Sequence, residues 1–259
     1  RGGFGTIYDC GKDDRVVVKT QPARDKQLKM EEEFYSNLTK RVASQMSDYV
    51  PTFVASGVSG TVRFIVLEKI PHDVNEFLKL NKKIQKKTFC DMTVQLVAAL
   101  QFLHSLEYSH GDLKDKNVLV CPAEKPILKL CDFGLVRKFT TDDGSHVPYT
   151  PGKLSYHRGT LPFTGVDSHM GAIPSRRTDL ENLGWFVISC FFGKGLPWEK
   201  FSKNRILNYK IFVKSRLPDS VDELMPGKST KRVKSFMKIV DALDYESSPD
   251  YEELKDIFR

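Results

Sequence analysis

The chain has 259 residues, 40% hydrophobic and 28% charged, enough for one large globular domain or two small lobes, and no apolar run approaches the roughly 20 residues of a membrane helix. Lys and Arg number 40 against 33 Asp and Glu, a net of +7, which points only weakly to acidic or nucleic-acid-associated partners; no basic run interleaved with aromatics forms a direct nucleic-acid motif. Five scattered cysteines with no CxxC pair fit free thiols in a reducing compartment better than a disulfide framework or a zinc site.

From the N-terminus, RGGFGTI sets Gly2 and Gly5 at the spacing of the last two glycines of a G-x-G-x-x-G loop. Glycines there let backbone N–H groups approach a polyphosphate without side-chain clash, although a Gly-rich hairpin turn reads the same way. Ile7 would then pack over a nucleotide base. GTIY, RVVVK and VRFIVL (Val62 to Leu67) are short β-branched runs that predict strands. Lys19 ends the second run. Its meaning depends on an acidic partner, since a lone lysine at a strand end is usually solvated. KMEEEFYSNLTKRV predicts the helix to supply one, with Met30, Phe34 and Leu38 recurring every four residues. Glu31, Glu32 and Glu33 are all available. Glu31 is preferred because it shares a face with Tyr35 one turn on, while Glu32 and Glu33 point elsewhere. An ion pair would hold Lys19 against the α- and β-phosphates of a nucleotide.

After Pro71 the pattern becomes helical. Phe89, Met92, Leu96, Leu100 and Leu103 mark one long amphipathic helix. HGDLKDKN (His110 to Asn117) follows, then short strands at NVLV and ILKLC. A loop between helix and strand can aim the Asp112 carboxylate at an acceptor hydroxyl and the Asn117 amide oxygen at Mg²⁺, with Lys114 beside the transferred phosphoryl group. Taken alone, the same residues could be a polar turn capping its own backbone. CDFG then sets Asp132 twenty residues past Asp112, at a strand end, where it would supply a metal carboxylate, a packing aromatic and a hinge. DLENLGWFVISCFF is apolar nearly all round and predicts a buried helix. The last third alternates helical segments with Pro and Gly breaks, and no internal repeat is found. A strand-rich half, 1–70, followed by a helical half, 71–259, predicts an α+β architecture of two lobes with a cleft between them.

Glycine loop, VVVK, HGDLKDKN and CDFG in this order resemble the eukaryotic protein kinases over essentially the whole chain. Small-molecule phosphotransferases of the aminoglycoside and choline type share an HGD-x-x-x-x-N string, but usually end the metal site with an acidic pair in place of Asp-Phe-Gly. GTLPFTGVDSHMGAIPSRRTDLENLGW (Gly159 to Trp185), HGDLK, the Phe34–Tyr35 pair and GKGLPW resemble the vaccinia-related kinase branch of the casein kinase one group. The resemblance implies a bilobal protein kinase fold, with residues 1–70 as the small lobe and 71–259 as the large one, together one catalytic domain. It implies that Thr160 contacts the loop near Asp112 and Lys114, and that Asp179 caps the backbone around His110 and Gly111. Leu67 would be the gatekeeper, Glu68 and Ile70 would offer backbone groups to adenine, and Leu119 would floor the adenine site. The cut glycine loop and the stop at DIFR lead us to expect a catalytic-domain fragment of a longer protein.

The expected activity is Ser/Thr protein kinase chemistry with ATP and Mg²⁺: Lys19 and Glu31 position phosphates, Asn117 and Asp132 hold metal, and Asp112 orients the acceptor hydroxyl. Lys114 is a feature of Ser/Thr-type loops. The alternative is a pseudokinase-like scaffold that binds partners without turnover. By resemblance, substrates are chromatin-associated proteins such as the barrier-to-autointegration factor and histones, and the nucleus is preferred over the cytoplasm; a monomer is expected. One departure is informative. Gly111 stands where many protein kinases carry an arginine that pairs with a phosphate on the activation segment, so we expect a segment held by its own packing, with Arg137 or Lys138 as the alternative phosphate partner.

Overall fold

The computed structural model describes all residues except 1–4, 12, 43–45, 82–84, 122, 156–157, 193–195 and 228. The chain opens with strands β1 (Thr6–Asp9) and β2 (Val16–Pro22), followed by helices α1 (Lys26–Val42) and α2 (Met46–Tyr49), strands β3 (Phe53–Ser59), β4 (Val62–Glu68) and β5 (His72–Asp73), and helix α3 (Val74–Leu80). Helix α4 (Lys86–Ser105) and strand β6 (Tyr108–Ser109) come next. Strands β7 (Val118–Cys121) and β8 (Ile127–Leu130) lead into a 3₁₀ turn at Phe133–Leu135, then strand β9 (Arg137–Lys138). The remainder is helical: α5 (Val166–His169), α6 (Arg176–Phe192), α7 (Lys203–Lys214), α8 (Ser220–Leu224), α9 (Lys231–Ala242) and α10 (Tyr251–Asp256).

Packing divides these elements into two units. The first is Arg1–Lys83 with Lys116–Val136, and the second is Ile84–Asp115 with Arg137–Arg259. The sequence places a single division after Ile70. The packing differs because β7 returns to pair with β5 (His72 opposite Val120), β8 pairs with β7, and the Phe133–Leu135 turn packs on α1. Such long-range pairing leaves no local mark.

In the first unit, four antiparallel strands run in the order β1-β2-β4-β3. The β-branched runs of β2 and β4 face one another in register, Lys19 opposite Ile65. Helix α1 covers the sheet with Leu28, Phe34, Tyr35 and Leu38, all buried, the i, i+3, i+4 stripe of an amphipathic helix. Phe133 stacks on Phe34 at 4.2 Å and meets Tyr35 edge-on at 5.5 Å, so the aromatic of the Asp-Phe-Gly triplet is part of this core. Lys129 Nζ reaches Glu68 Oε2 at 2.8 Å.

In the second unit, all five apolar positions predicted on α4 are buried. Helix α6 is buried on all sides by Leu180, Leu183, Trp185, Phe186, Val187 and Ile188. It approaches α9 so closely that a Cβ on Gly184 would lie 2.2 Å from Met237 Sδ. Truncating a buried leucine in such a core costs about 2–5 kcal/mol.

Candidate active site

The residues singled out by the sequence fall into two groups, one on each unit. In the first unit, Lys19 leaves the middle of β2 and is buried under α1. Its Nζ donates to Glu31 Oε2 at 2.6 Å and to Asp132 Oδ1 at 2.8 Å. Glu31 is thus the helix glutamate that meets Lys19. Glu32 instead accepts from Arg63 and from Ser56 Oγ, and exposed Glu33 lies near Lys29. Burial works against the Lys19 charge, but the two carboxylates overcome it and hold the ammonium above the ordinary lysine range. Burial raises the Glu31 carboxyl, with Lys19 opposing and Asp132 adding to the rise. A buried ion pair of this kind survives only with good geometry and further hydrogen bonds.

Asp132 adopts φ 63°, ψ 72°, a left-handed conformation that a non-glycine residue takes at a cost of about 1–3 kcal/mol. That turn brings its carboxylate to Lys19. Asn117 is buried, and its carbonyl accepts the Cys131 N–H at 3.0 Å, fixing it beside the residues that lead from β8 to Asp132. Gly2 lies outside the described residues. Gly5 has φ 112°, and a Cβ there would fall 2.6 Å from the Thr20 carbonyl oxygen, so the turn requires glycine. Ile7 is 64% exposed on β1, opposite Lys19 in register. The Glu68 N–H donates to the Thr52 carbonyl at 2.8 Å and so is not a free ligand donor. Its carboxylate is held below the usual range by Lys129 and the Thr52 N–H, against the effect of burial. Ile70 and Leu119 are both half-buried.

In the second unit, Asp112, Lys114 and Thr160 form a closed set. Asp112 Oδ1 accepts the Thr160 N–H at 2.7 Å, and Asp112 Oδ2 accepts from Lys114 Nζ at 2.8 Å. Lys114 Nζ also donates to Thr160 Oγ1 at 2.8 Å. Gly159 lets the two segments meet: its φ is 86°, and a Cβ would lie 3.0 Å from the Gly111 carbonyl and 3.3 Å from Asp112 Oδ1. Asp179, near the start of α6, accepts the His110 N–H at 2.6 Å and the Gly111 N–H at 2.9 Å. Such charge-assisted caps are roughly twice as strong as neutral hydrogen bonds.

A third partner of Asp179 is not apparent from the motifs. His104 Nε2 lies 3.0 Å from Asp179 Oδ2, and His104 Nδ1 lies 2.6 Å from Tyr251 Oη. A carboxylate can only accept, so Nε2 donates to Asp179 while Nδ1 shares a hydrogen bond with the tyrosine hydroxyl. The only hint in the sequence is a histidine on the buried face of α4.

The segment after Asp132 is tied largely by its own backbone. Val147 N–H donates to the Phe139 carbonyl at 2.9 Å and Thr141 N–H to that of Ser145 at 2.8 Å. Further on, Gly152 N–H reaches the Met170 carbonyl at 2.9 Å and Leu154 N–H that of Gly171 at 2.8 Å. Lys138 pairs with Glu107 at 3.3 Å. Burial, together with neighbouring Arg158, pushes the Arg137 guanidinium down to about 10.

The protein kinase domain family matches residues 1–242. The chain is similar to the probable serine/threonine-protein kinase FPV212 of Fowlpox virus (strain NVSL), 31% identical over 99% of this chain and 89% of the relative. It is similar to the B1 kinase of Vaccinia virus (strain Western Reserve), 30% identical over 99% of this chain and 90% of the relative. The serine/threonine-protein kinase VRK2 of Homo sapiens is 31% identical over 99% of this chain and 54% of its own length. Among solved structures, that of vaccinia related kinase 3 matches with a TM-score of 0.79 and 26% identity, covering 94% of this chain and 78% of that one.

Proposed function

The chain belongs to the protein kinase domain family, and on that premise we propose that it transfers the γ-phosphoryl group of ATP to serine or threonine hydroxyls through the two residue groups described above. The observation that carries this reading is the Lys19 ammonium held between Glu31 and Asp132, a cation placed to act on phosphate oxygens with a metal carboxylate beside it. The residues fit a nucleotide–Mg²⁺ group. Asp132 and Asn117 offer hard oxygen donors, and Mg²⁺ favours one or two protein carboxylates plus phosphate oxygens. Among the described residues, no group of three or more His, Cys, Asp or Glu side chains could hold a metal ion alone.

MgATP, when bound, supplies the phosphoryl group and its charge-neutralising metal. This chain's residues do the rest. Asp112 accepts a hydrogen bond from the acceptor hydroxyl and orients its oxygen. Lys114 places positive charge where negative charge develops. Thr160 holds both through its N–H and its hydroxyl, and Asp179 keeps the His110–Gly111 backbone in place. Gly5 and Ile7 belong to the phosphate cover and the base site. The Glu68 carbonyl, Ile70 and Leu119 line the adenine end. Chromatin-associated proteins are the substrates we propose, with a nuclear location and a monomeric state; resemblance to the vaccinia-related kinases is the support for these finer points. The test is transfer of labelled phosphate from ATP to a panel of basic nuclear proteins and casein. Transfer lost on Asp132→Ala supports the enzyme. Partner binding without transfer, indifferent to Asp132→Ala, would establish a scaffold instead.

For regulation, the backbone ties of segment 139–154 support a kinase active as made, since Gly111 has no side chain to bind a phosphate. A second reading has its own observation. Arg137 and Arg158 are half-buried neighbours of like charge, and a phosphate on a segment hydroxyl would relieve their repulsion. Phosphatase treatment separates the two.

A further inference from the structure

Lys210, on α7, is 0% exposed. Burial pushes its ammonium down to about 7, with Glu181 opposing and Lys214 adding to the fall. Glu181 itself is engaged elsewhere: Lys214 Nζ donates to Oε2 at 3.0 Å, Trp185 Nε1 to Oε1 at 3.1 Å, and the Val166 N–H reaches both oxygens. Lys210 Nζ donates instead to two backbone carbonyls, Thr164 at 2.5 Å and Leu161 at 3.2 Å. It stands 5.6 Å and 5.7 Å from the ring centroids of Trp185 and Trp198, which meet edge to face at 5.3 Å. Carbonyl oxygens and indole faces both favour a cation, so these contacts oppose the effect of burial.

The two carbonyls belong to the turn that begins at Thr160. The Thr160 carbonyl accepts the Phe163 N–H at 2.9 Å and the Thr164 N–H at 3.1 Å. The Pro162 carbonyl accepts from Trp198 Nε1 at 2.9 Å. The Gly165 N–H donates to Asn182 Oδ1 at 2.6 Å. The turn is therefore gripped from α6, α7 and Trp198 at one end, and at the other it presents the Thr160 N–H and hydroxyl to Asp112 and Lys114. Lys210 is the sole charged group in this grip that touches two of its carbonyls among the described residues.

We propose that Lys210 is a positioning residue for phosphoryl transfer: by holding the Leu161 and Thr164 carbonyls it fixes the turn that sets Thr160 against Asp112 and Lys114. This rests on the roles assigned above to those three residues. Lys210→Met removes the donor and the charge while keeping an unbranched apolar chain between the indoles. A small displacement of Thr160 is enough to matter, because misplacement by about 1 Å can cost about a hundredfold in rate.

The experiment is a kinetic double-mutant cycle on the whole chain, using Lys210→Met, Thr160→Val and the pair, with a protein substrate and MgATP. Lys210→Met should lower kcat by about ten- to a hundredfold and leave the KM for ATP unchanged. The pair should be no slower than the slower single variant, because both changes break one linkage. A residue that merely supports the fold would lower the folded fraction and multiply with Thr160→Val; that multiplication, or a neutral Lys210→Met, overturns the proposal. Should Lys210→Met not fold, Lys210→Gln keeps an amide NH2 donor without the charge and is read by the same cycle. Asp112→Asn runs alongside. If it leaves transfer intact, the assigned site falls; if it abolishes transfer while the cycle shows no coupling, only the role of Lys210 falls.

Discussion

In the first unit Lys19, Glu31 and Asp132 come from a strand, a helix and a turn, and meet mainly through side-chain charge, with one backbone hydrogen bond from Phe133 to Glu31. In the second, Asp112, Thr160 and Asp179 meet largely through backbone N–H groups, three of which are held by two carboxylates. The first arrangement concentrates opposite charges out of water, so its integrity depends on each charge being present. The second spreads its hold over several hydrogen bonds, so a single loss should degrade geometry without collapsing it. Perturbing both groups tests whether this contrast is real.

The largest effect is expected at Lys19. Lys19→Met should reduce transfer by orders of magnitude. It should also destabilise the fold by about 3–5 kcal/mol, the typical result of stripping one partner from a buried pair. The pH dependence follows in sign. Burial already raises the Glu31 carboxyl above its ordinary value with Lys19 opposing, so removing Lys19 raises it further. A folded-state value above the unfolded one contributes stability in acid that is lost as pH rises through it. Thermal melts of the variant should therefore fall from about pH 5 to pH 8 more steeply than those of the parent. Adding Glu31→Gln should restore stability but not transfer. A variant as stable as the parent at every pH would remove the charge-concentration half of the contrast.

Asp179→Asn comes next. One amide oxygen cannot replace a carboxylate that serves the His110 and Gly111 N–H groups and His104, and each unsatisfied buried donor costs about 1–3 kcal/mol. A tenfold or greater drop in kcat with ATP affinity unchanged, on the scale of about 1.4 kcal/mol per tenfold, is the expected outcome. A fall in ATP affinity equal to the fall in kcat would show that the two groups are not separable.

Among the α1 glutamates the ordering should be sharp. Glu31→Gln weakens transfer, more mildly than Lys19→Met. Glu33→Gln is neutral. Glu32→Gln removes a partly exposed pair with Arg63 and costs no more than about 1 kcal/mol of stability, with transfer intact. The smallest effect is expected from phosphatase treatment, which should leave most activity when a separate substrate is used. Loss of most activity, restored by phosphorylating one hydroxyl among Thr140, Thr141, Ser145 and Thr150, would favour the Arg137–Arg158 reading.

Legibility in the sequence depended on whether a residue sits in a motif or meets its partner only through distant parts of the chain. The side chains of the first group sit in motifs with distinctive residue types, and Glu31 was separable from its neighbours by helical phase. Helix α4 was plain from five apolar positions. Strand β3 was not, because FVASGVS carries small residues and no alternation. Lys210 was invisible for a physical reason: on α7 the lysine is buried, while Ile211 and Phe212 are 46% and 51% exposed. Local pattern would reverse those faces. What buries Lys210 is a turn some 46 residues earlier whose carbonyls need a donor. Tyr251 meets His104 across 147 residues, and no spacing rule reaches that far.

Gly111 occupies a corner of the backbone whose shape bears on what side chain it could carry. With φ at 77°, the residue occupies a region that glycine enters freely and that any side chain enters at a cost of about 1–2 kcal/mol. An arginine placed here would carry that cost at all times, whereas its benefit would need a phosphate on another segment. The substitution therefore costs stability in every state of the chain and repays it only in a phosphorylated one. Glycine at this corner thus gives the backbone its conformation at no steric cost and leaves the loop without a cation of its own at that position.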